Sequence, residues 1–242
     1  MKIVLTGGPS CGKTSVIEYF KKRGHDTIDE VARQIIAEKN WQNKKLSNRQ
    51  FNILESEIYA QMIEKESYAD SRDLSMHFMD RSLIDIDGYC LHRYGRVPKK
   101  YQKTPTNYNG EPLKRYHKVF VLDRLPLIND GLRLEDSEEE AQRMHDCIIE
   151  AYKRKGYEPI RVPIIPVVDG NVPRAIRKRA EFIKNNILGL DTINEEYEKI
   201  QDSYSEARAR YNFNKSIDLH VKGYNPISKK IIRNLMSGDN SW

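Results

Sequence analysis

The sequence predicts an α/β architecture: a mostly parallel sheet flanked by helices in three layers. Three observations carry that expectation. Short apolar runs recur at residues 2–5, 76–79 and 119–122. Each is followed by a loop and then a stretch of helical periodicity. The first run leads directly into Gly7-Gly8-Pro9-Ser10-Cys11-Gly12-Lys13-Thr14, which has the spacing G-x-x-x-x-G-K-T of a phosphate-binding loop.

That spacing has a physical basis. A buried strand delivers the chain into a tight turn whose backbone N–H groups point inward at phosphate oxygens, and glycines at positions 7 and 12 permit the turn. The helix that follows presents its positive N-terminal end to the same anion. Residues 7–15, ending in Ser15, are therefore the expected nucleotide cradle. Lys13 is expected on the β- and γ-phosphates and Thr14 on Mg²⁺.

The remaining elements follow in order. Residues 15–23 read as a helix with Val16, Ile17 and Phe20 inward and Gly24 as its stop. Residues 26–29 read as a short strand. Residues 30–39 read as a helix with Val31, Ala32, Ile35 and Ile36 inward, and Glu30, Arg33 and Gln34 on another face. Ser47 and Gln50 form a capping box that opens a long helix to about residue 68, with Phe51, Leu54, Ile58 and Met62 as its stripe. The strand at 76–79 ends at Asp80-Arg81-Ser82, and 83–94 is helical again. Residues 97–117, with Pro98, Pro105 and Pro112, many Lys and Tyr and few aliphatics, read as an irregular insertion near the strand ends, where open α/β sheets bind ligands. Residues 119–122 form a buried strand. Residues 123–136 read as a lid. A Ser137…Glu140 capping box opens a helix to about residue 155 with Ala141, Met144, Ile148 and Tyr152 inward, and 160–162 is the last short strand. Residues 172–188 read as a further helix that packs on the core. Residues 193–211 read as a very polar helix and 213–242 as a basic tail with a strand at 217–221 and a helix at 228–236. The expected division is a domain at 1–188 and an extension at 189–242.

Composition bounds the function. The chain has 242 residues, 31% charged and 38% hydrophobic, with a formal net charge of +6. That balance suits a protein handling anions, and equally a well-solvated surface. Cys11, Cys90 and Cys147 are odd in number and widely spaced, which argues against a disulfide framework or a cysteine zinc site and fits a reducing cytoplasm. No apolar run approaches the ~18 residues of a membrane span. The six histidines lack metal-ligand spacing and read as structural or surface residues.

Several residues are candidates for chemistry. Asp80 closes an apolar strand, as a second Mg²⁺ residue does, although a strand-end helix cap has the same position. Arg81 is placed to touch substrate or phosphate, or to form a surface ion pair. Asp85, three residues after Ser82, fits a substrate-side carboxylate and, better, a helix cap. Glu30 fits an acceptor-orienting or proton-accepting carboxylate, and Arg33 an anion-binding partner. Their i, i+3 spacing equally fits a local ion pair, and Asp29 is the neighbouring alternative. Arg124 and Arg133 flank the Pro- and Gly-bearing lid, and Arg133 is the better candidate for closing over a transferring phosphoryl group. Asn214-Lys215-Ser216-Ile217-Asp218 fails as a guanine-reading Asn-Lys-x-Asp, because its Asp falls one residue late.

On these motifs the chain resembles the AAA-like P-loop domains related to the nicotinamide riboside kinase domain of the bacterial NAD-biosynthesis regulator. The resemblance runs over about residues 1–188. It rests on the loop, on Ile28-Asp29-Glu30-Val31-Ala32-Arg33, where the family tends to have Pro-Glu-Ala-Ala-Arg, and on Phe78-Met79-Asp80-Arg81-Ser82-Leu83-Ile84-Asp85. It continues through 119–122, Leu125-Pro126, Asp130-Gly131-Leu132-Arg133-Leu134-Glu135-Asp136, Gly156-Tyr157 and Arg161-Val162-Pro163. Asp80-Arg81-Ser82 also looks like the Glu-Arg-Ser run of deoxynucleoside kinases, whose acid and arginine lie near metal, phosphates and substrate. The resemblance implies binding of ATP or GTP with Mg²⁺ and a kinase-like site.

The expected activity is transfer of the γ-phosphate to a small acceptor: a nucleoside, a nucleotide or a pyridine riboside. One rival is an NTP-hydrolysing switch acting through a protein or an anionic membrane surface. Another is a nucleic-acid 5′-end kinase whose basic insertion (Lys99, Lys100, Lys103, Lys114, Arg115) and tail track the phosphate backbone, with bases stacked on Tyr101, Tyr108 or Tyr116.

Overall fold

The computed structural model describes residues 1–42, 44–71, 76–101, 114–126, 137–167 and 170–189. Strand β1 (Lys2–Thr6) is followed by α1 (Lys13–Lys21), β2 (Asp26–Ile28), α2 (Ala32–Glu38), α3 (Asn48–Ser71), β3 (His77–Asp80), α4 (Leu83–Tyr94), a 3₁₀ turn (Lys99–Tyr101), β4 (Lys118–Leu122), α5 (Glu138–Arg154), β5 (Ile160–Val162) and α6 (Val172–Leu188). Most of the lid and insertion, and the extension with its polar helix and basic tail, lie outside the described residues.

The strands form one parallel sheet in the order β2-β3-β1-β4-β5. β1 pairs with β3 on one side (Leu5 opposite Asp80) and β4 on the other (Thr6 opposite Val121). β1 is buried along its whole length, as a central parallel strand must be. Because β1 and β3 run in register, the phosphate loop and Asp80 leave the sheet at the same end.

Local signals set the helix ends. Ser47 Oγ accepts from the Gln50 N–H while the Gln50 side chain reaches back to the Ser47 N–H at 3.0 Å, completing the expected capping box. Ser137 Oγ accepts from the Glu140 N–H. α4 opens with a box that pairs Ser82 with Asp85. α2 starts two residues later than expected, so Glu30 stands in the connection after β2 and not in the helix. His77, polar within an apolar run, is buried in β3 with Nδ1 2.8 Å from Asp26 Oδ2 on the neighbouring strand.

The core gathers Val4, Met79 and Val119 of the sheet with Phe51, Leu54 and Met62 of α3 and Ile148 and Tyr152 of α5. Close approach of α4 to α5 depends on Gly88, where a Cβ would lie 2.7 Å from Ile148 Cα. The chain divides into two compact units, Met1–Arg161 and a second beginning at Val162. In the second, Asn171 caps α6 by accepting from the Arg174 N–H at 2.9 Å, and Gly189 ends it.

Candidate active site

The loop is built as its sequence requires. Gly7 has φ 127° and Gly12 has φ 72°, backbone conformations that favour glycine. Lys13 begins α1 and is buried. Its Nζ donates to the Gly7 carbonyl at 3.0 Å and the Gly8 carbonyl at 2.9 Å, which holds the ammonium across the loop. Burial, and then the Arg81 charge, lower its pKa from the usual lysine value.

The outer side of the loop is braced. The Gly8 N–H donates to His145 Nδ1 of α5 at 3.0 Å, the Arg124 Nε–H donates to the Pro9 carbonyl at 3.2 Å, and the Leu125 N–H donates to the Ser10 carbonyl at 2.8 Å. α5 passes so close that a Cβ on Gly8 would lie 2.9 Å from His145 Cβ.

Asp80 sits at the end of β3 with one side chain oxygen accepting from Thr14 Oγ1 at 2.9 Å. Its other oxygen, Oδ1, is buried and takes no hydrogen bond among the described residues. Burial and the nearby Glu30 push the carboxyl up to about 6, against the opposing charges of Lys13 and Arg81. An orphaned carboxylate oxygen beside a helix-start hydroxyl, behind a phosphate loop, suits a hard cation such as Mg²⁺. No cluster of three or more His, Cys, Asp or Glu able to hold a metal occurs among the described residues. Phosphate oxygens and water would then complete the shell, as they commonly do for Mg²⁺.

Arg81 joins the loop to the other half of the site. It adopts φ 74°, a strained value for a non-glycine residue, and its N–H donates to the Leu5 carbonyl at 3.0 Å. Its Nε–H donates to Glu30 Oε1 at 2.9 Å, and Nη1 donates to the Gly7 carbonyl and to Asp85 Oδ1, both at 3.1 Å. The guanidinium carbon lies 5.3 Å from the centre of the Tyr89 ring. Burial opposes the charge, but Tyr89, Glu30, Asp85 and Asp80 outweigh it and hold Arg81 firmly protonated. Glu30 also accepts from Arg33 Nε at 3.1 Å. Burial raises the Glu30 carboxyl, yet Arg81, Arg33 and Lys13 prevail and bring it down to about 2.

Asp85 is a brace. It accepts from Thr6 Oγ1 at 2.6 Å, Arg81 Nη1 at 3.1 Å, the Ser82 N–H at 2.9 Å and the Tyr152 hydroxyl at 2.6 Å. It ties β1, α4 and α5 together around the arginine.

Lys13, Thr14, Glu30, Arg33, Asp80, Arg81 and Asp85 thus form one connected array at the sheet end. Arg124 stands apart from them, buried behind the loop, with Nη2 3.3 Å from Glu138 Oε2. Arg124, expected as a lid arginine on the substrate side, is buried against the Pro9 carbonyl. Asp29 turns outward to Lys21 at 2.8 Å. Arg133 lies outside the described residues. Two expected stacking tyrosines are core residues: Tyr116 is buried with its hydroxyl donating to Glu66 Oε1 at 2.8 Å, and Tyr101 is buried beside Tyr59. Neither offers a free face to a base, and Arg115 is bonded to Glu66. His145, read with the other histidines as structural or surface, lies at i+4 from Ala141 on the inward stripe of α5 and supports the loop. Tyr152 was legible as a core residue, not as a ligand of Asp85.

The fold and this array define a kinase-like P-loop α/β protein. The chain belongs to the family described as an AAA domain, whose model matches residues 2–169. Among solved structures it is similar to deoxyadenosine kinase from M. mycoides with the products dCMP and a flexible dCDP bound: 18% identity, TM-score 0.51, covering 78% of this chain and 100% of that one. The same kinase with dATP bound matches at 16% identity and TM-score 0.51, covering 77% and 99%. The NadR protein in complex with NR matches at 19% identity and TM-score 0.46, covering 81% of this chain and 50% of that one. No curated protein matches the sequence. No described helix is long and apolar enough to cross a membrane.

Proposed function

We propose that the protein is a Mg²⁺-dependent kinase that transfers the γ-phosphoryl group of ATP to a hydroxyl of a small acceptor, a nucleoside, nucleotide or pyridine riboside. The observation that carries this reading is the Glu30–Arg81 pair, linked through Arg81 Nη1 to the same loop that Lys13 crosses. A nucleotide-binding switch needs the loop, a cation site and a water-positioning group. A partly buried acid–arginine pair beside the loop additionally provides for a second substrate.

The loop N–H groups and Lys13 bind the phosphates. Thr14 and Asp80 would hold Mg²⁺, which when bound neutralises charge on the phosphate oxygens. Glu30 accepts a hydrogen bond from the acceptor hydroxyl and aims its oxygen at the γ-phosphorus. At a pKa of about 2 it orients the hydroxyl and does not deprotonate it beforehand. Such orientation suffices for a loose phosphoryl-transfer transition state, in which the acceptor proton leaves late. Arg33 and Arg81 fix Glu30, and Arg81 offers positive charge to the transferring group. Arg133 would close from the lid.

Transfer of labelled γ-phosphate across a panel of nucleosides, mononucleotides, nicotinamide riboside and 5′-hydroxyl oligonucleotides tests the reading. We expect a small acceptor to be labelled, and Lys13→Ala to lose the activity. Slow hydrolysis of bound nucleotide without any labelled acceptor would refute the kinase in favour of a switch.

A further inference from the structure

The Gly7–Gly8 peptide group is bonded at both ends. Its carbonyl accepts from Lys13 Nζ at 3.0 Å and from Arg81 Nη1 at 3.1 Å, and its N–H donates to His145 Nδ1 at 3.0 Å. In a trans peptide the two ends point in opposite directions, so these three bonds fix the plane of the group. The backbone itself resists rotation of that plane weakly, because glycine stands on both sides of it and Gly7 already has φ 127°. A flipped peptide would aim its N–H at the two cations and its oxygen at α5. Once phosphate draws Lys13 away, the carbonyl end keeps Arg81 and the N–H end keeps His145.

His145 is held firmly for such a task. It is buried, on a helix anchored to either side of it. Near the start of α5 the Arg124 Nη1 donates to the Glu138 carbonyl at 3.2 Å. Further along, Ile148 packs on Gly88, and the Tyr152 hydroxyl donates to Asp85 at 2.6 Å. The helix lies against the loop itself: the Ala141 carbonyl and His145 Cα are each 3.1 Å from where a Cβ on Gly8 would stand. Two groups of the loop face Nδ1, the Gly8 N–H and the Cys11 thiol, whose Sγ is 3.8 Å from it. To accept from Gly8, Nδ1 must be without a proton, and a neutral imidazole then carries its proton on Nε2.

We propose that His145 is a positioning residue for the nucleotide: the unprotonated Nδ1 of its neutral imidazole locks the Gly7–Gly8 peptide, so that the loop meets the phosphates already formed. This deepens the proposed function and rests on one part of it, the binding of NTP phosphates by the loop; the acceptor does not enter. Such preorganisation lowers the cost of binding. Its loss falls on the nucleotide, because Arg81 keeps Glu30 and Asp85 whatever Gly7 does.

The test is calorimetric binding of a non-hydrolysable ATP analogue with Mg²⁺ to the full chain, in wild type, His145→Leu and His145→Asn. Leucine nearly fills the space of the ring and accepts nothing. Asparagine is smaller but sets an acceptor oxygen near the place of Nδ1. The expected Kd is raised about ten-fold or more in His145→Leu, where a buried N–H is orphaned, and lies within about three-fold of wild type in His145→Asn. In transfer assays the loss in His145→Leu falls on the KM for ATP and leaves the acceptor KM within about three-fold. A ring that only fills space gives the reverse order, with leucine near wild type and asparagine impaired. That order overturns the proposal, as does equal binding, or equal loss, in both variants. Should His145→Leu fail to fold, the ring-nitrogen NMR signals of His145 in the wild type decide. An unprotonated Nδ1 beside a protonated Nε2 supports the proposal, and a proton on Nδ1 overturns it. If His145→Leu loses affinity for the analogue while wild type labels no acceptor, the kinase reading fails and the role of His145 stands. If wild type labels an acceptor and His145→Leu binds the analogue as tightly, the positioning role alone falls. A wild type that binds no nucleotide removes both.

Discussion

Lys13 and Arg81 donate to one oxygen. The Gly7 carbonyl accepts from Lys13 Nζ at 3.0 Å and from Arg81 Nη1 at 3.1 Å. In the proposed mechanism the lysine serves the nucleotide and the arginine the acceptor, so a single peptide group would connect the two halves. When phosphate draws Lys13 away from the carbonyls, Arg81 keeps the loop anchored to Glu30 and Asp85.

Arg81→Lys should therefore be far from conservative. Arg81 serves three acceptors in different directions from one planar fork, and an ammonium on a flexible stem cannot match them. Losing two charge-assisted hydrogen bonds at about 1.5–3 kcal/mol each predicts a fall of ~100-fold or more in kcat/KM for the acceptor. Nucleotide affinity, measured by calorimetry, should change by less than ~10-fold, because the loop and Lys13 remain.

Glu30→Gln separates binding from transfer. The amide keeps the shape of the side chain but loses the charge that Arg81 and Arg33 neutralise. Transfer measured with labelled γ-phosphate should drop by about 100-fold or more, with ATP affinity preserved. Unchanged turnover would remove Glu30 from the mechanism.

Asp85→Ala should be a stability variant. Its four hydrogen bonds join β1, α4 and α5 around a largely enclosed arginine, and truncation leaves that charge short of a partner. The expected loss is ~3 kcal/mol or more, read as a fall in Tm of about 6 °C or more for a chain of this size. A residue that merely contacted substrate would raise the acceptor KM and leave Tm in place.

Glu55 predicts a pH slope in stability. Its carboxyl titrates at about 8 in the folded protein against an ordinary 4.5, because burial disfavours the charge. Between those values the folded state holds a proton that the unfolded chain has released, so this stability is present below 4.5 and lost as pH rises through 8. Glu55→Gln has no such proton to lose. The variant should match wild type in Tm near pH 4.5 and exceed it by several degrees at pH 8, about 2–4 °C for each kcal/mol.

Much of this was legible along the chain. The run 2–5, the glycines at 7 and 12 and the pair Lys13-Thr14 dictate a buried strand, a tight anion-cradling turn and a helix start, because each is a local requirement met by adjacent residues. The capping boxes at Ser47 and Ser137 place helix starts for the same reason. Glu30, Arg33, Asp80 and Arg81 could be named as candidates because each follows a strand, where parallel sheets present their ligand-binding ends. What no spacing could decide was which of them meet. The strand order β2-β3-β1 brings the connection after β2 against the end of β3, so Glu30 reaches Arg81 across 51 positions of sequence. Packing of α5 under the loop decided that His145 supports Gly8 and Tyr152 holds Asp85. The difference between Glu66 and Glu55 was also tertiary: periodicity sets both on one face of a helix, and only the neighbours folded against that face determine which is satisfied and which keeps an oxygen without a partner.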